Sequence, residues 1–186
     1  MFQYGEDTYT LIDTPGHVDF SPEMERAIRA MDYAILIISA VEGIQGHTET
    51  VWQLLRQYHV PTFIFINKID REGADVSAVM QALQKEFSPN ILLMDNLADA
   101  AEFVAERNER LLDKFMEEAL TDEEIIRALQ HHIKQEEAFV AMQGAALKSM
   151  GVMEVFNILH QLTPTPYEDS APFEADVVKI RPDGEQ

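Results

Sequence analysis

With 33 acidic residues against 14 basic ones, a formal charge of −19 over 186 residues, the chain repels phosphate backbones and excludes a broad nucleic-acid-binding face. Cysteine is absent, which excludes disulfides and cysteine-ligated zinc and fits a cytoplasmic protein. No run of 18 apolar residues occurs, so no membrane helix is expected, and the opening Met1-Phe2-Gln3-Tyr4 has no signal-peptide pattern.

In chain order, Phe2 to Tyr4 and Thr8 to Ile12 flank Gly5-Glu6-Asp7, the pattern of an antiparallel hairpin. The second strand is predicted to end on Asp13, where Thr14-Pro15-Gly16 turns the backbone ahead of His17. Ser21-Pro22-Glu23 opens a helix, and Met24, Ala27, Ile28 and Met31 give it one apolar face. Tyr33 to Ile38 is a continuous apolar run, as in a parallel strand covered on both faces. A helix is predicted over Thr48 to Tyr58, a second buried strand over Thr62 to Ile66, and another helix on Val76, Val79, Met80, Leu83 and Phe87. This alternation predicts a doubly wound α/β domain.

From about residue 88 to 137 the pattern becomes acidic and helical after a short apolar Ile91 to Met94, and Thr121 to Glu124 forms a capping box. This stretch reads as a helical insertion against the α/β core. His131 and His132 are adjacent, about 100° apart on a helix, and read as a solvated face rather than a metal site. Phe139 to Met142 returns to strand, Gly144-Ala145-Ala146 is a small-residue loop, and Val152, Val155, Phe156 and Leu159 mark a last helix. Thr163-Pro164-Thr165-Pro166 has linker composition, and Phe173 to Ile180 reads as a strand of a following unit. The expected division is a domain over 1–163, a linker over 164–172 and the start of a β-barrel domain over 173–186.

Three motifs carry chemistry, each predicted at the carboxyl end of a strand, where open α/β sheets hold ligands. At the first, the Asp13 carboxylate can hold a cation through water, and Gly16 lets a backbone N–H approach a phosphate unobstructed. At the second, Asn67-Lys68-Ile69-Asp70, the carboxylate of Asp70 can accept from the neighbouring N1–H and exocyclic amine of guanine. It would reject adenine, which presents an acceptor at N1. Each such charge-assisted bond is worth about 1.5–3 kcal/mol. Asn67 can bond the other edge of the purine or tie neighbouring loops together, and the stem of Lys68 can pack on a flat ring. Read alone, the motif is equally a polar loop in which Asp70 caps the next helix.

In order and spacing, D-T-P-G-H-V-D-F, N-K-I-D and the late G-A-A-L resemble the translational GTPases, over Met1 to Ile180. The nearest types are elongation factor G and the tetracycline-resistance ribosomal protection proteins; Asn67 to Asp75 and the moderate insertion lean to the latter. The resemblance implies that Asp13 reaches Mg²⁺ through water, the Gly16 N–H senses the γ-phosphate, and His17 orients the attacking water on the ribosome. It implies that Asn67, Lys68 and Asp70 select guanine and that the Ala145-Ala146 backbone contacts the base oxygen. The family usually has Ser at Ala145, so a hydroxyl that steadies the loop is absent.

GTP or GDP and Mg²⁺ are the cofactors implied, the ribosome is the partner, and no membrane is involved. Phosphoryl transfer of this class needs a glycine-rich loop with its Lys, and no G-x-x-x-x-G-K-[ST] occurs here. The expected fold is therefore an incomplete P-loop GTPase-type sheet lacking the first strand and phosphate loop, an internal slice of a larger GTPase. The opposing reading is a non-catalytic acidic interaction module. In the family the missing strand lies between the Asp13 strand and Tyr33 to Ser39. The gap is expected to close by direct pairing, by recruitment of a segment near Val177 to Ile180, or by self-association through exposed edges.

Overall fold

The computed structural model describes residues 1–5, 7–14 and 22–165. Gly16, His17 and the strand expected near Val177 to Ile180 lie outside the described residues.

The chain opens on a hairpin, β1 (Phe2–Tyr4) and β2 (Asp7–Tyr9), paired antiparallel with Phe2 opposite Tyr9. There follow α1 (Pro22–Arg29), β3 (Ala34–Ser39), α2 (Gly46–Gln57), β4 (Thr62–Asn67), α3 (Val76–Glu86) and β5 (Ile91–Leu93). A 3-10 turn over Leu97–Ala100 leads into α4 (Ala101–Ala105), α5 (Glu109–Met116) and α6 (Asp122–Lys134). The chain returns through β6 (Phe139–Gln143) and a 3-10 turn at Ala146–Lys148 to α7 (Val152–Leu162).

Strands β3, β4, β6 and β5 form one parallel sheet in that spatial order. The strands bury alternate residues on two faces. Leu36, Ile38, Ile64, Ile66, Phe139 and Ala141 form one core with Trp52 of α2 and Val79, Met80 and Leu83 of α3. Phe63, Phe65, Val140 and Met142 form the other with Leu129 and Ile133 of α6 and Ile158, Leu159 and Leu162 of α7. β4 is closed on both sides, as its unbroken apolar run requires: Phe63, Ile64 and Ile66 are all 0% exposed.

β3 departs from the expectation of a strand covered on both faces. Ala34, Leu36 and Ile38 are buried, but Ile35 is 40% and Ile37 63% exposed. The reason is position: among the described residues β3 is the edge of the sheet, and no helix packs over its second face.

The hairpin also differs. The strand expected to run from Thr8 to Ile12 and end at Asp13 stops at Tyr9. It does not pair with β3 but belongs to a separate two-stranded sheet. Aromatic packing decides this arrangement. Phe2 stacks on Tyr9 at 5.5 Å between ring centroids, both Phe2 and Tyr4 pack on Phe156 of α7, and the Tyr4 hydroxyl donates to Asn157 Oδ1. Leu11 is 72% exposed, so Leu11 and its neighbours gain no burial that would extend the strand. The capping box of α6 forms as read, with Thr121 and Glu124 satisfying each other's backbone N–H.

Candidate functional site

The site follows from the sheet order. β4 is followed by α3 on one face, and β6 by α7 on the other. Their connections therefore diverge at the carboxyl ends of β4 and β6, the switch point at which α/β sheets hold ligands. The pairing of Ile66 with Gln143 places Asn67-Lys68-Ile69-Asp70 and Gly144-Ala145-Ala146 side by side there.

Short hydrogen bonds fix the two loops. The N–H of Gly144 donates to Ile66 O at 2.9 Å, and that of Ile69 to Gly144 O at 3.3 Å. Gly144 is required by close approach, because a Cβ there would stand 2.3 Å from Met150 O and 2.8 Å from the Phe65 ring. Asn67 Oδ1 accepts from the N–H of its neighbour Lys68 at 2.8 Å and from Ala146 N–H at 3.0 Å. Of its two possible roles, Asn67 thus performs the loop-tying one through its oxygen and retains its amide as a donor. Lys68 is held left-handed at φ +66°, an unusual conformation for a long side chain and one that clusters at functional positions.

Each polar head of the motif is engaged within the protein. Lys68 Nζ reaches Glu42 Oε2 at 3.0 Å, and Lys148 Nζ reaches Asp70 Oδ2 at 2.8 Å. The Lys148 ammonium holds the Asp70 carboxyl below its ordinary range, and Lys68 followed by Ser39 does the same for Glu42. The Asp70 side chain is 15% exposed and that of Lys148 60%, so the lysine lies on the solvent side of the carboxylate. Asp70 does not cap the following helix; Asp75 does, accepting from Ala78 N–H at 2.9 Å.

Ala145 is buried and its N–H donates to Met150 O at 3.0 Å, whereas Ala146 is exposed. Asp13 is exposed and ends no strand. Among the described residues no group of three or more His, Asp or Glu could hold a metal.

Two participants, Glu42 and Lys148, were not singled out from sequence. Glu42 could have been found because it follows β3, which ends at the same edge as β4. Lys148 could have been found as the first basic residue after the Gly144 loop. Its neighbour on that loop, Leu147, is 87% exposed.

Comparisons with known proteins place the chain that carries these loops in a family. The family model described as the elongation factor Tu GTP binding domain matches residues 1–165. The chain belongs to that family, the translational GTPases. Tetracycline resistance protein TetW from Butyrivibrio fibrisolvens is 31% identical over 170 residues, an alignment covering 84% of this chain and 27% of TetW. The chain therefore spans well under half the length of that relative. The crystal structure of ttk003000868 from Thermus thermophilus superimposes with a TM-score of 0.71 at 20% identity, over 82% of this chain and 30% of the other. That likeness establishes the fold: a mixed α/β GTPase-type domain on a parallel sheet.

Proposed function

We propose that this chain is the guanine-reading part of a ribosome-dependent translational GTPase, of the tetracycline-resistance or elongation factor G kind. The observation that carries the reading is the Asn67–Ala146 bond, which brings Asp70 and the Gly144 loop together at the switch point. In this reading Asp70 accepts from the N1–H and exocyclic amine of guanine, and the Lys148 ammonium yields its place or remains as a third donor. The carboxylate offers about four lone-pair sites, enough for either arrangement. The Lys68 stem covers one face of the ring, and the Asn67 amide donates to the purine. Because Ala145 N–H is held by Met150, Ala146 is the one to reach the base oxygen, sharing its hydrogen with Asn67.

The phosphate half of the reading rests on the resemblance. Asp13 would hold Mg²⁺ through water, Gly16 would meet the γ-phosphate, and His17 would orient the attacking water. One exposed carboxylate fits a Mg²⁺ ion, which keeps several waters and takes further oxygens from phosphates. Bound there, the ion would supply charge neutralisation on the β- and γ-oxygens. The phosphate loop and its strand would come from a preceding segment, for which the open edge of β3 and the TetW relation offer support. Without that strand, the β3 edge would favour self-association. We retain the division into a GTP-binding domain over 1–163 with its insertion near 88–137, a linker over 164–172 and a second domain from 173. We also place the protein in the cytoplasm; no described helix is long and apolar enough to cross a membrane.

The test is ribosome-stimulated GTP hydrolysis by a protein joining a phosphate-loop segment to this chain. Turnover that falls by orders of magnitude in His17→Ala, with nucleotide affinity nearly intact, is the expected result. No turnover in the joined protein would leave the acidic interaction module as the better reading.

A further inference from the structure

Lysines and arginines are scarce here, 14 in all, yet three arginines line one cavity of about 460 Å³, together with two histidines. The cavity lies between the start of α5 and one stripe of α6. Arg107 and Arg110 come from the first side, and Arg127, His131 and His132 from the second. On α6 the residues Glu124, Arg127 and His131 recur at three- and four-residue spacing, which places them along one face.

These side chains are partly pre-organised. The Arg107 guanidinium lies 3.4 Å from the centre of the Phe103 ring, donating from Nη1 to Phe103 O and from Nη2 to Asn90 Oδ1, each at 2.9 Å. His132 is held by Glu137 at 2.8 Å and edge-on to Phe103. Arg127 has only a loose partner, Glu123, at 3.6 Å, and Arg110 forms no ion pair among the described residues. The one carboxylate lining the cavity, Glu124, is bound by Lys114 at 2.5 Å, which also holds its carboxyl below the ordinary range. Arg107 has a similarly loose carboxylate partner in Glu106, at 3.9 Å, so none of the three guanidinium groups is closely neutralised by a carboxylate and each can turn to a bound anion.

We propose that this cavity of the helical insertion binds a phosphate group. Guanidinium forks match phosphate oxygens in pairs, and a phosphate dianion can take donors from Arg107, Arg110 and Arg127 at once. The group can come from a free phosphate compound or from an RNA backbone. The latter would give an acidic protein one local foothold on a surface its net charge otherwise repels.

The experiment titrates the full chain, amide by amide in solution NMR at constant ionic strength, with inorganic pyrophosphate and separately with a short oligouridylate. Saturable shifts at Arg107 to Leu111 and Ala128 to His132 are expected. R110Q and R127Q should each weaken binding about tenfold, the loss of one charge-assisted bond. Both positions are exposed, so thermal unfolding should remain cooperative, and Asp70→Asn should leave this response unchanged while altering any guanine response. A response to pyrophosphate alone identifies a free phosphate ligand; tighter, steeply salt-dependent binding of the oligonucleotide identifies RNA. No saturable shift from either probe, or shifts that R110Q and R127Q leave untouched, would overturn the proposal.

Discussion

β3 and β4 lie side by side in one parallel sheet, with Ala34 to Ser39 in register with Thr62 to Asn67, yet they have opposite surroundings. β4 has a strand on each side and a helical layer on each face, so Ile64 and Phe63 reach zero exposure. Among the described residues β3 has one neighbour and one covered face, and Ile37 is 63% exposed. The lesson is that the Asn67 and Gly144 loops are joined where the sheet is closed. Asn67 and the left-handed Lys68 follow directly on Phe65 and Ile66, which are buried and packed on opposite faces of the sheet. At the open flank of β3 the same kind of apolar residue contributes little.

The sharpest way to break this contrast is Phe65→Ala. It removes a buried ring from one core and from beneath Gly144, and should cost about 3–5 kcal/mol in urea unfolding. A loss below about 1 kcal/mol would mean the crevice floor collapses freely around the gap. Asn67→Ala comes next. It deletes one of the bonds that join the two loops and should cost about 1 kcal/mol, with Ala146 amide exchange accelerated.

A pH series gives a smaller effect. Asp70 is held below its ordinary range chiefly by Lys148, so its contribution is present above about pH 4 and lost as pH falls through the lowered folded value. Lys148→Met should flatten that acid limb, and an unchanged limb would remove the pair from the account. The smallest effect belongs to the open flank. Ile37→Lys should alter stability by no more than about 0.5 kcal/mol, because its side chain is largely in water already. If the protein self-associates through the β3 edge, the same substitution should lower that association in analytical ultracentrifugation.

The sequence was most legible where local chemistry is enough. The apolar run Thr62 to Ile66, the Thr121–Glu124 capping box and the returning strand at Phe139 each form as read, and N-K-I-D falls at a strand end. It misled where the outcome depends on a neighbour. Ile35 and Ile37 read as core because an apolar run does not disclose whether a layer lies above it. Leu11 and Ile12 read as strand, but a strand lasts only as long as its partner, and β1 offers three residues from Phe2 to Tyr4. The pairs Lys68–Glu42 and Lys148–Asp70 span loops that only the sheet order brings together. Arg107 precedes α5, Arg110 lies on it and Arg127 lies on α6, so the convergence of the three arginines on one cavity has no linear signature.

The central claim is that Asp70 and the loop tied by Asn67 form a guanine-reading crevice within this chain. The most direct measurement is an NMR titration of the chain with GDP and, in parallel, ADP. Weak binding is expected, poorer than micromolar, since the phosphate cradle supplies much of the attraction at such sites. GDP should shift the Asn67 side-chain amide and the Ala146 and Lys148 backbone amides, and ADP at the same concentrations should not. In Asp70→Asn the preference should pass to xanthosine diphosphate, whose oxygen meets the new amide donor. Equal responses to GDP and ADP, or a guanine preference that survives Asp70→Asn, would contradict the account.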